Sequence, residues 1–232
     1  MRYSNYTGWY DIFYILTIVL FFVSLICSGV VKSRFKKYAK LAPRNGLTGA
    51  MAAERILRAN GIYDVSITQV GGTLTDNYNP TSKTLNLSEA VCNQSSVSAI
   101  AVAAHECGHA IQHAQAYPLL MLRKALVPVC NIGSIGSYVA ILLGIIFSYS
   151  GLITIGAALF SGIVFFNLVT LPVEVDASRR ALAEVDRLNL LTDDERKGGR
   201  KVLTAAGMTY FISLVASVVQ LLRLLSMANR RR

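Results

Sequence analysis

The chain has 232 residues, 53% of them hydrophobic, with a formal net charge of +10, and its mean hydropathy of +0.45 is too high for an ordinary soluble domain. The apolar excess has to lie in lipid or in a large interface. The basic residues flank the apolar runs and do not interleave with exposed aromatics, which favours a membrane and argues against nucleic acid as a partner. Cys27, Cys92, Cys107 and Cys130 form no CxxC pair, so neither a disulfide framework nor a zinc ribbon is expected, and each reads as a small buried apolar residue.

Residues 12–31 form an uncharged run between Asp11 and Lys32, and about 20 apolar residues suffice to cross the hydrocarbon core. Only Arg2 lies at its front, and it ends in Ser-Gly-Val-Val-Lys without an A-x-A site, so an uncleaved span is expected and not a signal peptide. Lys32, Arg34, Lys36, Lys37 and Lys40 follow at once, which places this end in the cytoplasm. Residues 48–60 read as a helix stopped by Gly61, and residues 65–70 alternate like a strand before a Gly71-Gly72 turn. A turn at residues 77–80 precedes a second alternating run, Thr84-Leu85-Asn86-Leu87. Ser95 or Ser96 can cap a helix reaching about residue 116.

No charged residue occurs between Lys124 and Glu174, which is room for two spans joined by a tight turn near Ser148-Tyr149-Ser150-Gly151. Arg123 and Lys124 before it, and Arg179 and Arg180 after it, put both ends in the cytoplasm, in agreement with the first span. The last apolar stretch, residues 207–222, is interrupted by Gln220 and followed by Arg223 and the basic tail Arg230, Arg231, Arg232, so it reads equally as a fourth span or an interfacial helix.

Within the helix that reaches about residue 116, His105 and His109 are four apart and share one face, so both imidazoles can reach one zinc ion. Glu106 stands beside the first ligand, where its carboxylate can take the proton of a metal-activated water. His113 continues the series but rises about 12 Å above His105, too far for one ion with bonds near 2 Å. It is expected beyond the coordination sphere, facing substrate or solvent. A catalytic zinc usually takes a third protein ligand, and Glu174 is the expected one: it follows Leu171-Pro172-Val173 at the cytoplasmic exit of the hairpin, where a buried carboxylate needs a partner. Pro172 suits the first turn of a new helix over residues 174–182. Asp176 is the rival ligand; it lies about 200° round the helix from Glu174, so the two cannot serve one ion. Arg179 and Arg180 could stabilise a tetrahedral oxyanion or anchor to lipid headgroups.

At these residues a resemblance becomes specific. His105-Glu106-Cys107-Gly108-His109-Ala110-Ile111-Gln112-His113 and Leu171-Pro172-Val173-Glu174-Val175-Asp176-Ala177-Ser178-Arg179-Arg180-Ala181 resemble the two signatures of the YugP-like neutral zinc metallopeptidases of bacterial membranes. Leu74-Thr75-Asp76-Asn77-Tyr78-Asn79-Pro80 followed by Leu85-Asn86-Leu87-Ser88 is similar to that family too, and the likeness runs over most of the chain. The family is similar in arrangement to the HtpX-like and CAAX-prenyl membrane peptidases, in which two spans separate HExxH from a glutamate ligand. The resemblance implies Glu174 as third ligand and a gluzincin-like active site facing the cytoplasm. One position departs: those relatives carry an aspartate four residues after the glutamate, able to orient a ligand histidine, and here it is Ser178, with Asp176 the nearest aspartate.

The expected molecule is therefore a mainly α membrane protein with a small α+β zincin-like catalytic domain and three or four transmembrane helices. Residues 1–32 hold the first span, 33–124 and 174–204 the two parts of a cytoplasmic catalytic domain, 125–173 the hairpin, and 205–232 the C-terminal apolar helix and tail. Its expected activity is zinc-dependent endopeptidase on membrane or unfolded polypeptides, with Glu106 as general base, at the cytoplasmic face of the cell membrane. The Thr84–Leu87 strand could offer an edge to an extended substrate or form part of a plain structural hairpin. The alternative is a non-catalytic membrane adaptor with a structural or vestigial zinc site, disfavoured because Glu106 is retained and a structural site wants four protein ligands.

Overall fold

The computed structural model describes residues 4–230, with side chains described for residues 12–229; Arg2 and the arginines of the extreme C-terminal tail, noted above, fall outside that description. In chain order the elements are α1 (Ser4–Ala39), α2 (Gly49–Ala59), β1 (Ser66–Val70), β2 (Asn77–Asn79), β3 (Thr84–Ser88), α3 (Glu89–Cys92), α4 (Val97–Ala114), α5 (Pro118–Ile146), α6 (Ser150–Arg187) and α7 (Asp193–Arg230). The protein is mainly helical with one small sheet. Four of its helices, α1, α5, α6 and α7, are long and apolar enough to cross a membrane by length and composition. The last apolar stretch thus belongs to a helix of spanning length, continuous from Asp193.

The chain divides into two compact units. One holds residues 1–26, 122–171 and 209–232. Its described residues are apolar nearly all round: Phe22 on α1 and Ile132 on α5 are 57% and 76% exposed, with no protein surface to cover them. Where helices in this unit do meet, small and hydroxyl residues let them approach, as where Ser137 Oγ donates to the Gly156 carbonyl at 2.8 Å. Ile153, Ala157, Phe160 and Leu224 form its small buried cluster.

The second unit holds residues 27–121 and 172–208, and contains the sheet and the chemistry-bearing helices. Its sheet has the order β1-β3-β2, with β1 parallel and β2 antiparallel to β3. Leu85 and Leu87, two apart on β3, both point into the core and are fully buried. β3 is the central strand, hydrogen-bonded on both sides: of the two readings given to it, the structural hairpin is found and the free edge is not. The reason lies in residues 77–79, read above as part of a turn: they form β2, which pairs Tyr78 with Leu85, and Asn86 Nδ2 donates to Asn77 Oδ1 across the strands at 3.0 Å. The turn comes one step later, where Asn79 Oδ1 accepts the backbone N–H groups of Thr81 and Ser82. Asp76 secures the loop by accepting from the Ser88 N–H (2.7 Å) and hydroxyl (3.1 Å), and burial nevertheless pushes its carboxyl above the usual range.

The helices of this unit start and stop as their caps dictate. Thr48 Oγ1 accepts from Met51 N at the start of α2, and Ser96 Oγ from Ala99 N at the start of α4. α2 and α4 pack through Ala52, Ala53, Ala103, Ala104 and Cys107, all fully buried, and the Cys107 thiol donates to the Ala53 carbonyl at 3.7 Å. Burial drives that thiol's pKa well up, so it is an inert core group. Pro172 does not begin a new helix: α6 runs unbroken through it. Proline in a helix interior costs about 3 kcal/mol. What holds the helix straight on is the stripe Val173, Ala177, Ala181 and Val185, spaced by four and buried to 1% exposure or less.

Candidate metal centre

α4 and α6 bring the donor atoms together because α4 has no side chain where the two cross. A Cβ on Gly108 would lie 2.4 Å from the Ala177 carbonyl oxygen, so only glycine permits this approach. Three residues beyond the start of the motif on one helix and one residue before Ser178 on the other, the crossing sets His105, His109 and Glu174 against one another. His105 Nε2 is 3.2 Å and His109 Nε2 3.5 Å from Glu174 Oε2, and the donor atoms of the three residues lie within 4.8 Å of one another. A tetrahedral zinc ion with bonds of about 2.1 Å separates its ligand atoms by about 3.4 Å, so the two histidine–glutamate spacings suit it.

The hydrogen bonds behind the ligands say which atoms face the centre. Gln112, fully buried one turn after His109, donates through Nε2 to the Val173 carbonyl and to Asp176 Oδ2, both at 2.9 Å. Two acceptors at that end fix the amide orientation, so Oε1 is the atom that meets His109 Nδ1 at 3.0 Å. An acceptor there requires Nδ1–H on the histidine, so in the neutral ring the Nε2 lone pair is aimed at Glu174. A lone pair facing a carboxylate that is only 2% exposed is repulsive unless a cation lies between them. The donor set thus fits zinc. The same physics acts on the titration of His109: burial pushes the imidazole down, the Glu174 and Glu106 carboxylates push it up, and the net direction is up.

His105 is held differently, by Ser178 Oγ at 3.1 Å from its Nδ1. Ser178, one turn after Glu174, thus stands behind the His105 ring on the side away from Glu174. Asp176, the rival ligand, faces the other way, toward Gln112 and toward Arg180, whose Nε reaches it at 2.5 Å. Arg180 is further committed to Gln115 Oε1 and lies over the Tyr117 ring, whereas Arg179 is exposed. His113 is not brought to the ligand group; its Nδ1 shares a 2.8 Å hydrogen bond with the Tyr78 hydroxyl of β2.

Glu106 differs from every other buried carboxylate of this unit. It is 8% exposed, yet among the described residues it makes no hydrogen bond or ion pair, while Asp76, Glu174 and Asp176 all have partners. An uncommitted carboxylate beside a ligand histidine is free to hold water or substrate. Gln112 and Tyr78 went unremarked in the sequence as site residues. For Gln112 a signal existed, since a long polar side chain three residues past a ligand histidine, within an apolar helix, has to find partners in the core.

A helix-borne His–Glu–His set completed by a buried glutamate from a second helix defines a metallopeptidase-type centre. The chain belongs to the family described as "Putative neutral zinc metallopeptidase", which matches residues 13–229. It is also 44% identical over 212 residues to a protein of Bacillus subtilis (strain 168) named "Putative membrane protease YugP", covering 91% of this chain and 94% of that one. No solved structure matches the chain. Zinc is accordingly the metal to which the donor set of His105, His109 and Glu174 belongs.

Proposed function

We propose that the protein is a membrane-embedded, zincin-like endopeptidase in which His105, His109 and Glu174 hold zinc and Glu106 is the general base. The observation that carries this reading is the uncommitted, buried Glu106 carboxylate beside three converging donor atoms. A structural metal site has no use for such a group. When bound, zinc supplies a Lewis acid that activates water and polarises the scissile carbonyl. Glu106 takes the proton of the attacking water and later gives it to the leaving amine. Gln112 and Ser178 hold the two imidazoles in register, so that little reorganisation is needed at the moment of attack. An extended polypeptide would lie along β2, whose outer edge is unpaired among the described residues, and meet the Tyr78–His113 pair there.

The four spanning-length helices, and basic residues at both ends of the α5–α6 hairpin, support a multi-pass protein with its catalytic unit on the cytoplasmic face. Substrates are then membrane proteins or unfolded chains that reach the inner surface of the bilayer. The test is Glu106→Gln in purified, zinc-loaded protein. It should retain the metal and lose hydrolysis of an unfolded reporter polypeptide by at least about a hundredfold. Undiminished turnover in that variant would sink the proposal.

A further inference from the structure

A second set of charged side chains, on helices away from the metal ligands, has no role in peptide hydrolysis. α1 and α7 flank a groove of about 470 Å³ lined by Arg34, Lys197, Arg200 and Lys201, with Val30 and Ala205 on its apolar side. The two helices approach closely beside the groove at Gly198, where a Cβ would stand 2.7 Å from the Tyr38 ring. Four cations line it. Nearby acids do not neutralise them: Asp193 pairs with Arg196, Glu195 accepts from the Arg44 and Thr192 N–H groups, and only Asp194 reaches the groove, through Lys197 at 2.8 Å. Arg34, Arg200 and Lys201 have no carboxylate partner among the described residues.

The place of the groove in the sequence identifies its occupant. Arg34 follows directly on the apolar run of residues 12–31, and Lys201 shortly precedes that of residues 207–222. Both helices change there from apolar to charged, at the level where a bilayer carries its phosphates. A phosphate oxygen cluster matches two guanidinium forks and two ammonium groups, and Val30 with Ala205 can receive the first methylenes of an acyl chain. We infer that this groove binds the phosphate headgroup of an anionic phospholipid, one molecule per chain.

The full chain in neutral detergent, titrated with phosphatidylglycerol, phosphatidylcholine or inorganic phosphate and read by native mass spectrometry, tests this. One phosphatidylglycerol should be retained saturably, phosphatidylcholine should not, and inorganic phosphate alone should bind far more weakly. Arg34→Gln/Arg200→Gln/Lys201→Gln should weaken phosphatidylglycerol binding on the order of a hundredfold, since each basic residue at an anionic surface contributes roughly a fivefold preference. Lys32→Gln/Lys36→Gln/Lys40→Gln removes the same charge from a different face of α1 and should change it little. Ala205→Trp, which fills the apolar side and leaves every charge, should also expel the lipid and decides the matter if the triple variant does not fold. Equal losses in the two triple variants, equal retention of phosphatidylcholine, or phosphate binding as tightly as the lipid would each overturn the inference.

Discussion

Gln112 links the metal helix to the glutamate helix through two hydrogen bonds and holds His109 through a third, and Gln112→Leu removes all three at nearly constant volume. The Asp176 carboxylate keeps Arg180, and the Val173 carbonyl stays within α6, so neither is stranded. His109 loses its partner at Nδ1, in a position that is 8% exposed. An orphaned buried N–H costs about 1–3 kcal/mol of stability. A ligand histidine released from its orienting partner typically loses 10–100-fold in metal affinity, or roughly 1.4–2.7 kcal/mol. Competition against a chromophoric chelator measures the second quantity, and thermal unfolding of the zinc-free protein the first. Gln112→Glu sharpens the test. Its second oxygen meets two acceptors, Val173 O and Asp176 Oδ2, so it should be worse than leucine at neutral pH and recover in acid, when the protonated carboxyl becomes a donor. Zinc affinity within threefold of wild type in Gln112→Leu would refute the reasoning.

Ser178→Ala should lower zinc affinity by no more than about tenfold, because a neutral hydroxyl orients His105 less strongly than a charged chain orients His109; Ser178→Asp should raise it, and chelator competition reads both. Gly108→Ala drives a Cβ into the Ala177 carbonyl, parts α4 from α6, and should cost about 1–3 kcal/mol and much of the zinc affinity, visible as a lowered Tm that zinc no longer restores. The raised pKa of His109 gives a pH dependence of defined sign. Its protonated form stabilises the zinc-free protein fully below the ordinary imidazole value of about 6.5, and that contribution is lost as pH rises through the higher folded value. Zinc needs the neutral ring, so the Tm increment produced by zinc should shrink as pH falls, beginning above 6.5; an increment independent of pH between 8 and 5.5 would contradict the assignment of His109 as a ligand.

The parts of the site that local periodicity controls were legible before the fold was seen. His105 and His109 share a face because a helix has 3.6 residues per turn, and the same arithmetic placed His113 too far and turned Asp176 away from Glu174. That α1, α5 and α6 are long apolar helices was legible because charge and hydropathy change sharply at Lys32, Lys124 and Glu174. What escaped was set by packing between segments distant in sequence. Pro172 carries a local stop signal, and only the buried stripe of Val173, Ala177 and Ala181 overrides it. Asn77-Tyr78-Asn79 has turn composition, and it becomes a strand because β3 offers it a partner. Gln112 had an unexplained polarity, but its partners are 61 and 64 residues away.

The two ligand histidines are supported unequally, and the inequality follows from the hydroxyl at position 178. His109 leans on an amide that is itself held by Asp176 and, through it, by Arg180, so a fixed negative charge stands two bonds behind its ring. His105 leans on a hydroxyl, which can donate or accept and can rotate. A carboxylate behind both rings would make both imidazoles more basic ligands and leave the metal a weaker Lewis acid. With serine behind one of them, the centre keeps the geometry that Gln112 imposes and gives up less of its positive charge to the ligands. Asp176, two residues after Glu174, serves His109 through glutamine, so the site has one support backed by charge and one that is neutral.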